Sequence, residues 1–125
     1  MSLFRRDLGR TGEDAACKYL RSHGYRILER NFSCSLGEID IVCSDQGTVV
    51  FVEVKTRSSD SGADPETNIT RAKQRKIENL ARIWLERHPD TDAALRFDAV
   101  SVVKPSDGPP RVRHIIEAFE PTRYS

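Results

Sequence analysis

The apolar residues repeat first at helical spacing and then at strand spacing. From about Asp7 to His23, Glu13, Ala16, Cys17 and Leu20 share one stripe at i, i+3, i+4, i+7. Leu8, Ala15 and Tyr19 widen that stripe, and Gly24 supplies a stop. Tyr25 to Phe32 reads as a first strand, Ser33 to Leu36 as a turn, Gly37 to Ser44 as a second strand and Thr48 to Thr56 as a third. Asp45-Gln46-Gly47 then forms a hairpin turn, with a glycine free to take positive φ. The polar stretch "SSDSGADPE", Ser58 to Glu66, predicts a mobile loop. Thr70 is an N-cap for a second helix running to His88, with Ile77, Leu80, Ala81, Trp84 and Leu85 as its core face and Pro89 as its end. Leu95 to Lys104 follows as a fourth strand. Pro105 to Pro110 is a turn-rich connection, and Arg111 to Phe119 reads as a fifth strand. The order α-β-β-β-α-β-β predicts an α/β fold, a mixed sheet with helices on its faces.

Two of these strands carry charge in their apolar middles. "GEIDIV" holds Glu38 and Asp40, and "VFVEVKTR" holds Glu53 and Lys55. Taking such groups out of water costs several kcal/mol unless they are paired or bound to metal. Alternation puts Glu38, Asp40 and Val42 on one face of the second strand, and Phe51, Glu53 and Lys55 on one face of the third. With Gln46-Gly47 as a two-residue loop, Asp45 pairs with Thr48 and counting back sets Asp40 opposite Glu53, with Cβ atoms roughly 5 Å apart. A one-residue slip would separate them. Two adjacent carboxylates repel, so one takes up a proton or a cation sits between them. Oxygen ligands favour Mg²⁺, Mn²⁺ or Ca²⁺. Glu13 lies on the apolar stripe of the first helix and would be a third acidic member. Carboxylate-held metal beside a lysine suits phosphodiester hydrolysis, with Lys55 orienting water or stabilising developing charge. A structural ion-pair network would use the same residue types.

Composition narrows the picture. The chain has 125 residues, the size of one domain spanning 1–125, long enough to bury a core without staples. Charged residues make up 31% and the net charge is +1, so a nucleic-acid partner would have to be met by local basic clusters. Three cysteines without CxxC spacing and three scattered histidines argue against zinc. The odd cysteine count and the lack of a signal-like segment predict reduced thiols in the cytoplasm. No apolar run approaches the ~18 residues of a membrane span, so no membrane partner is expected.

Asp40, then Glu53-x-Lys55 after a turn, resembles the D…(D/E)xK signature of the restriction-endonuclease-like superfamily. "GRTGEDAACKYL", "GYRILERNF", "GEIDIV", "VFVEVKTR", the "KQRKI" helix and "RFDAV" resemble, in that order, the bacterial YraN family of predicted endonucleases, over roughly Leu8 to Val103. The resemblance implies a restriction-endonuclease-like α-β-β-β-α-β core with the site on a mixed central sheet. It implies Asp40, Glu53, the carbonyl of Val54 and Glu13 around Mg²⁺ or Mn²⁺, with Lys55 as catalytic lysine. It leaves Glu38 inside the motif but ahead of the ligand.

The basic residues acquire a use in that light. Arg71, Arg75 and Arg82 lie near one face of the second helix, Lys73 and Lys76 on adjacent faces, and Arg57 ends the third strand; Arg5, Arg6 and Arg10 precede or open the first helix. These would contact phosphates. Nothing interleaves aromatic with basic residues, so sequence reading is not expected; the resemblance, by analogy with resolvases, implies structure-selective binding of branched or single-stranded DNA. A symmetric dimer, joined through strand edges or the Ser58–Glu66 loop, would suit such substrates. His114 and Asp98 are read as structural. Two other readings compete with the metal-dependent DNA endonuclease: a non-catalytic DNA-binding or adaptor module, and a protein whose charges are only structural.

Overall fold

The computed structural model describes residues 3–59 and 69–121, with side chains from residue 8 onward. The elements are helix α1 (Leu3–Ser22), strands β1 (Arg26–Cys34), β2 (Gly37–Asp45) and β3 (Thr48–Ser58), helix α2 (Arg71–Glu86), and strands β4 (Ala94–Lys104) and β5 (Arg111–Ile115). The strands form one mixed sheet in the order β1-β2-β3-β4-β5. β1, β2 and β3 are an antiparallel meander. β4 lies parallel to β3 after the α2 crossover, and β5 returns antiparallel. This is the expected α-β-β-β-α-β-β order. Most of the predicted Ser58–Glu66 loop lies outside the described residues, as do the side chains of Arg5 and Arg6.

Each helix covers one face. α1 buries Ala16, Cys17 and Leu20 against Ile41, Cys43, Val50, Val52, Val100 and Val102. α2 buries Ile77, Leu80, Ala81 and Trp84 against Phe32, Ile39, Val42, Val49, Phe51 and Phe97 on the other face. Full burial of each Leu, Ile, Val or Phe side chain here contributes about 1.5–3 kcal/mol. β3 explains why a central strand reads as an unbroken apolar run: Val49 and Phe51 face α2, while Val50 and Val52 face α1.

The β2–β3 hairpin has the predicted two-residue loop. Gln46 (φ 49°) and Gly47 (φ 87°) both take left-handed conformations, and Asp45 pairs with Thr48. Register then runs unbroken to Ile41 opposite Val52.

Two features depart from simple alternation. β2 turns over at Asp40: Ile39 packs with the α2 layer, yet Ile41, two residues on, packs with the α1 layer. The expected shared face of Glu38, Asp40 and Val42 therefore does not form, because Val42 packs under α2 while the two acids lie near Glu13 of α1. The last strand is also shorter than its apolar pattern implied. It ends at Ile115, Glu117 takes φ 55°, and the chain bends so that Phe119 stacks on Phe97 at 4.8 Å. Of the apolar residues beyond Ile115, Ala118 and Phe119 pack with the α2-side core and Ile116 is exposed, so their pattern does not mark a strand.

Candidate metal centre

Two local features bring the acids together. The first is Gly12. A Cβ built there would collide with the side chain of Thr56, so only glycine lets α1 lie this close to β3. That close approach holds Glu13, the next residue, over the sheet. The second is the parting of β2 and β3. Their backbone pairing ends at Ile41–Val52, one step before Asp40 and Glu53 would meet. Beyond that point the Asp40 carboxylate replaces a backbone acceptor: its Oδ2 takes the N–H of Val54 at 2.7 Å. The aspartate is thereby fixed in the opening by the strand it has separated from.

Glu13, Glu38 and Asp40 each offer a carboxylate oxygen, and the three oxygens lie within 4.8 Å of one another. Asp40 is the most sheltered, and its carboxyl is pushed up to about 7. Burial is the largest cause, followed by the charges of Glu53, Glu13 and Glu38; the Val54 N–H opposes them. Such an acid holds a proton near neutrality or gives it up to a cation. The donors are all oxygens from carboxylates, which fits Mg²⁺ or Mn²⁺ better than a soft metal. Arg30 of β1 closes one flank, 3.7 Å from Glu13 and 2.8 Å from Asp14.

Glu53 belongs to the same neighbourhood but approaches from the α2 side, continuing the alternation of Val49 and Phe51. Its carboxylate is almost buried and lies 3.8 Å from Lys55 Nζ and 3.5 Å from Lys73 Nζ. Glu53 is thus close enough to raise Asp40, yet it is engaged by two ammonium groups and lies outside the three-acid group. Val54 takes part through its N–H to Asp40. Lys55 and Lys73 are about two-fifths exposed, open to a substrate.

Of the other basic residues, Arg57, Arg71, Arg75 and Lys76 are accessible. Lys76 lies over Gly37, whose φ of 143° and missing Cβ leave room for the lysine stem and the δ-methyl of Leu80. Arg10 and Arg82 are exposed too, with Arg82 3.5 Å from Asn79.

Sequence reasoning underrated Glu38 and Lys73. Glu38 is exposed, accepts from Ser33 across the β1–β2 ladder, and completes the three-acid group. The signal was its place two residues before Asp40, on the acid-bearing side of β2. Lys73 counts in the sequence only among the phosphate-contacting residues, because helical periodicity does not show how far a long stem reaches over a sheet. The thiols take no part: Cys17 and Cys43 are buried, and burial pushes Cys43 up to about 12.

The sequence is similar to those of known proteins. A UPF0102 protein of Geobacter metallireducens is 48% identical over 120 residues, covering 96% of this chain and 98% of that protein. One from Geotalea uraniireducens is 43% identical over 115 residues, covering 92% and 91%. One from Clavibacter michiganensis is 43% identical over 112 residues, covering 90% and 95%. A solved structure described as an EndoMS–dsDNA2 complex aligns at TM-score 0.42 and 16% identity, over 78% of this chain and 38% of that one. Residues 12–102, from the glycine that seats α1 to the end of the buried part of β4, match the family described as Uncharacterised protein family UPF0102, and the chain belongs to that family.

Proposed function

We propose that the protein is a divalent-metal-dependent endonuclease that hydrolyses DNA phosphodiester bonds. One observation carries this reading: Asp40, fixed by a backbone amide in the gap between two strands, gathers carboxylates from α1 and β2 beside the lysine-bearing Glu53 of β3. Glu13, Glu38 and Asp40 would hold Mg²⁺ or Mn²⁺, with Glu53 and the Val54 carbonyl as further oxygen donors. The cation supplies electrophilic assistance to the phosphodiester and acidifies water. Lys55, on the same carboxylate, points its ammonium where charge develops or where the attacking water is held. Arg57, Arg71, Arg75 and Lys76, with Lys73, form the basic rim that would seat the DNA backbone. Charge on the rim meets phosphates, which carry no base identity, and we read the action as structure-selective on branched or single-stranded DNA. We place the protein in the cytoplasm, where its thiols stay reduced, and a homodimer would present two such sites to one branched substrate.

The test is Mn²⁺ calorimetry on wild type and Asp40→Asn, followed on the same samples by cleavage of branched, flap and single-stranded DNA. Binding and cleavage in the wild type, both lost in the variant, are expected. DNA binding without metal affinity or cleavage would instead support a non-catalytic DNA-binding module.

A further inference from the structure

Lys73 is the one basic residue of the α2 rim whose ammonium forms an ion pair with an acid of the site among the described residues. It sits in the first turn of α2, and its own backbone N–H is the one capped by Thr70 Oγ1, at 3.2 Å. The preceding backbone is tied as well, with Gln74 Nε2 donating to the Ile69 carbonyl at 2.7 Å. The stem therefore starts from a fixed point, and its Nζ reaches Glu53 at 3.5 Å, nearer than Lys55 at 3.8 Å. Glu53 lies on the α2 side by strand alternation and its carboxylate is engaged there by both ammonium groups, while Glu13, Glu38 and Asp40 form the compact oxygen group without it.

We propose that Lys73 is a positioning residue of the metal centre: its ammonium holds Glu53 apart from the Glu13–Glu38–Asp40 group and yields that carboxylate to an arriving divalent cation. This rests on the metal-dependent reading above. An ammonium and a cation compete for one carboxylate and repel each other, so removing the ammonium strengthens the cation's hold. Lys55 remains to face water and phosphate. A lysine that only contacts DNA backbone would instead weaken DNA binding and leave metal affinity alone.

The experiment is Mn²⁺ calorimetry on the full chain without DNA, comparing wild type, Lys73→Met, Lys73→Arg, Glu53→Gln and the double variant Glu53→Gln/Lys73→Met. Lys73→Met should bind Mn²⁺ about tenfold more tightly, and Lys73→Arg as the wild type does. In the Glu53→Gln background the Lys73→Met effect should shrink below about threefold, because the lysine acts through that carboxylate. Lys73→Gln serves in place of Lys73→Met should the latter not fold. Unchanged or weaker Mn²⁺ binding by Lys73→Met overturns the proposal, and so does a tightening that persists without Glu53. A wild type that binds no Mn²⁺ overturns the nuclease reading first and this inference with it.

Discussion

Two aspartates on one sheet meet opposite surroundings. Asp98 of β4 is fully enclosed, and both of its oxygens are satisfied. Arg96 donates to each of them at 2.9 Å, the Glu117 N–H donates to Oδ1 at 3.1 Å, and His114 Nε2 lies 2.7 Å from Oδ2. Arg96 in turn reaches Asp45 and Tyr25. Burial alone would raise the Asp98 carboxyl, but the hydrogen bonds from His114, Arg96 and Glu117 together hold it below its ordinary value. Asp40 has a single backbone donor and carboxylate neighbours, and it is raised to about 7. A buried charge whose lone pairs are all answered serves the fold. One left among like charges stores an attraction for something not yet bound.

The largest expected effect breaks the satisfied cluster. Asp98→Asn leaves Arg96 without its main counter-charge in a buried setting and should cost about 3–5 kcal/mol in denaturant unfolding. A loss below about 1 kcal/mol would remove the distinction between the two sites. The pH signs also differ. Asp98 is depressed, so its stabilisation is present above the unfolded value near 3.8 and is lost as pH falls below it.

Asp40 runs the other way and gives the second effect. Between about pH 4 and 7 the folded protein keeps a proton on Asp40 that the unfolded chain releases, so stability falls as pH rises through that window. Asp40→Asn keeps the acceptor for Val54 but cannot ionise. In EDTA its stability advantage over wild type should be about 2 kcal/mol larger at pH 8 than at pH 5. Unfolding curves at the two pH values decide this; a variant less stable at pH 8 would mean that the carboxylate is a structural partner.

How much of this was legible before the structure follows from the range of each signal. Local signals held: the Gln46-Gly47 loop fixed the β2–β3 register, Thr70 caps α2, and Ile77, Leu80, Ala81 and Trp84 are buried as the 3.6-residue period required. Glu13, Asp40, Glu53 and Lys55 do lie in one neighbourhood, because register and periodicity determine which elements meet there. What failed was alternation through Asp40. Period two assumes an intact ladder, and this one opens at the residue whose side chain takes over the backbone bond. The grouping of Glu38 with Glu13 depends on that opening, whereas Glu53 meets Lys73 by the regular alternation of β3 and the reach of a lysine stem. Gly12 carried no pattern either, since its role is a contact with Thr56, 44 positions on by number.

That contact gives the smallest effect on stability and a sharp one on the site. Glycine in a helix interior costs about 1 kcal/mol relative to alanine. Nothing lies within 4 Å of a Cβ placed at Gly9, so Gly9→Ala should stabilise the protein by about that amount. At Gly12 the same gain opposes an overpacking cost of about 1–3 kcal/mol against Thr56, leaving a net loss of about 0–2 kcal/mol. The way the clash is relieved matters more than its cost. α1 must tilt or slide away from β3, and Glu13 moves with it, whereas Asp40 and Glu38 stay with the sheet. Gly12→Ala should therefore weaken Mn²⁺ binding by at least about tenfold, well beyond its effect on unfolding, with Gly9→Ala binding as wild type. Equal Mn²⁺ affinity in the two variants would show that Glu13 is not part of the centre, and would reduce the contrast with Asp98 to Asp40, Glu38 and Glu53 alone.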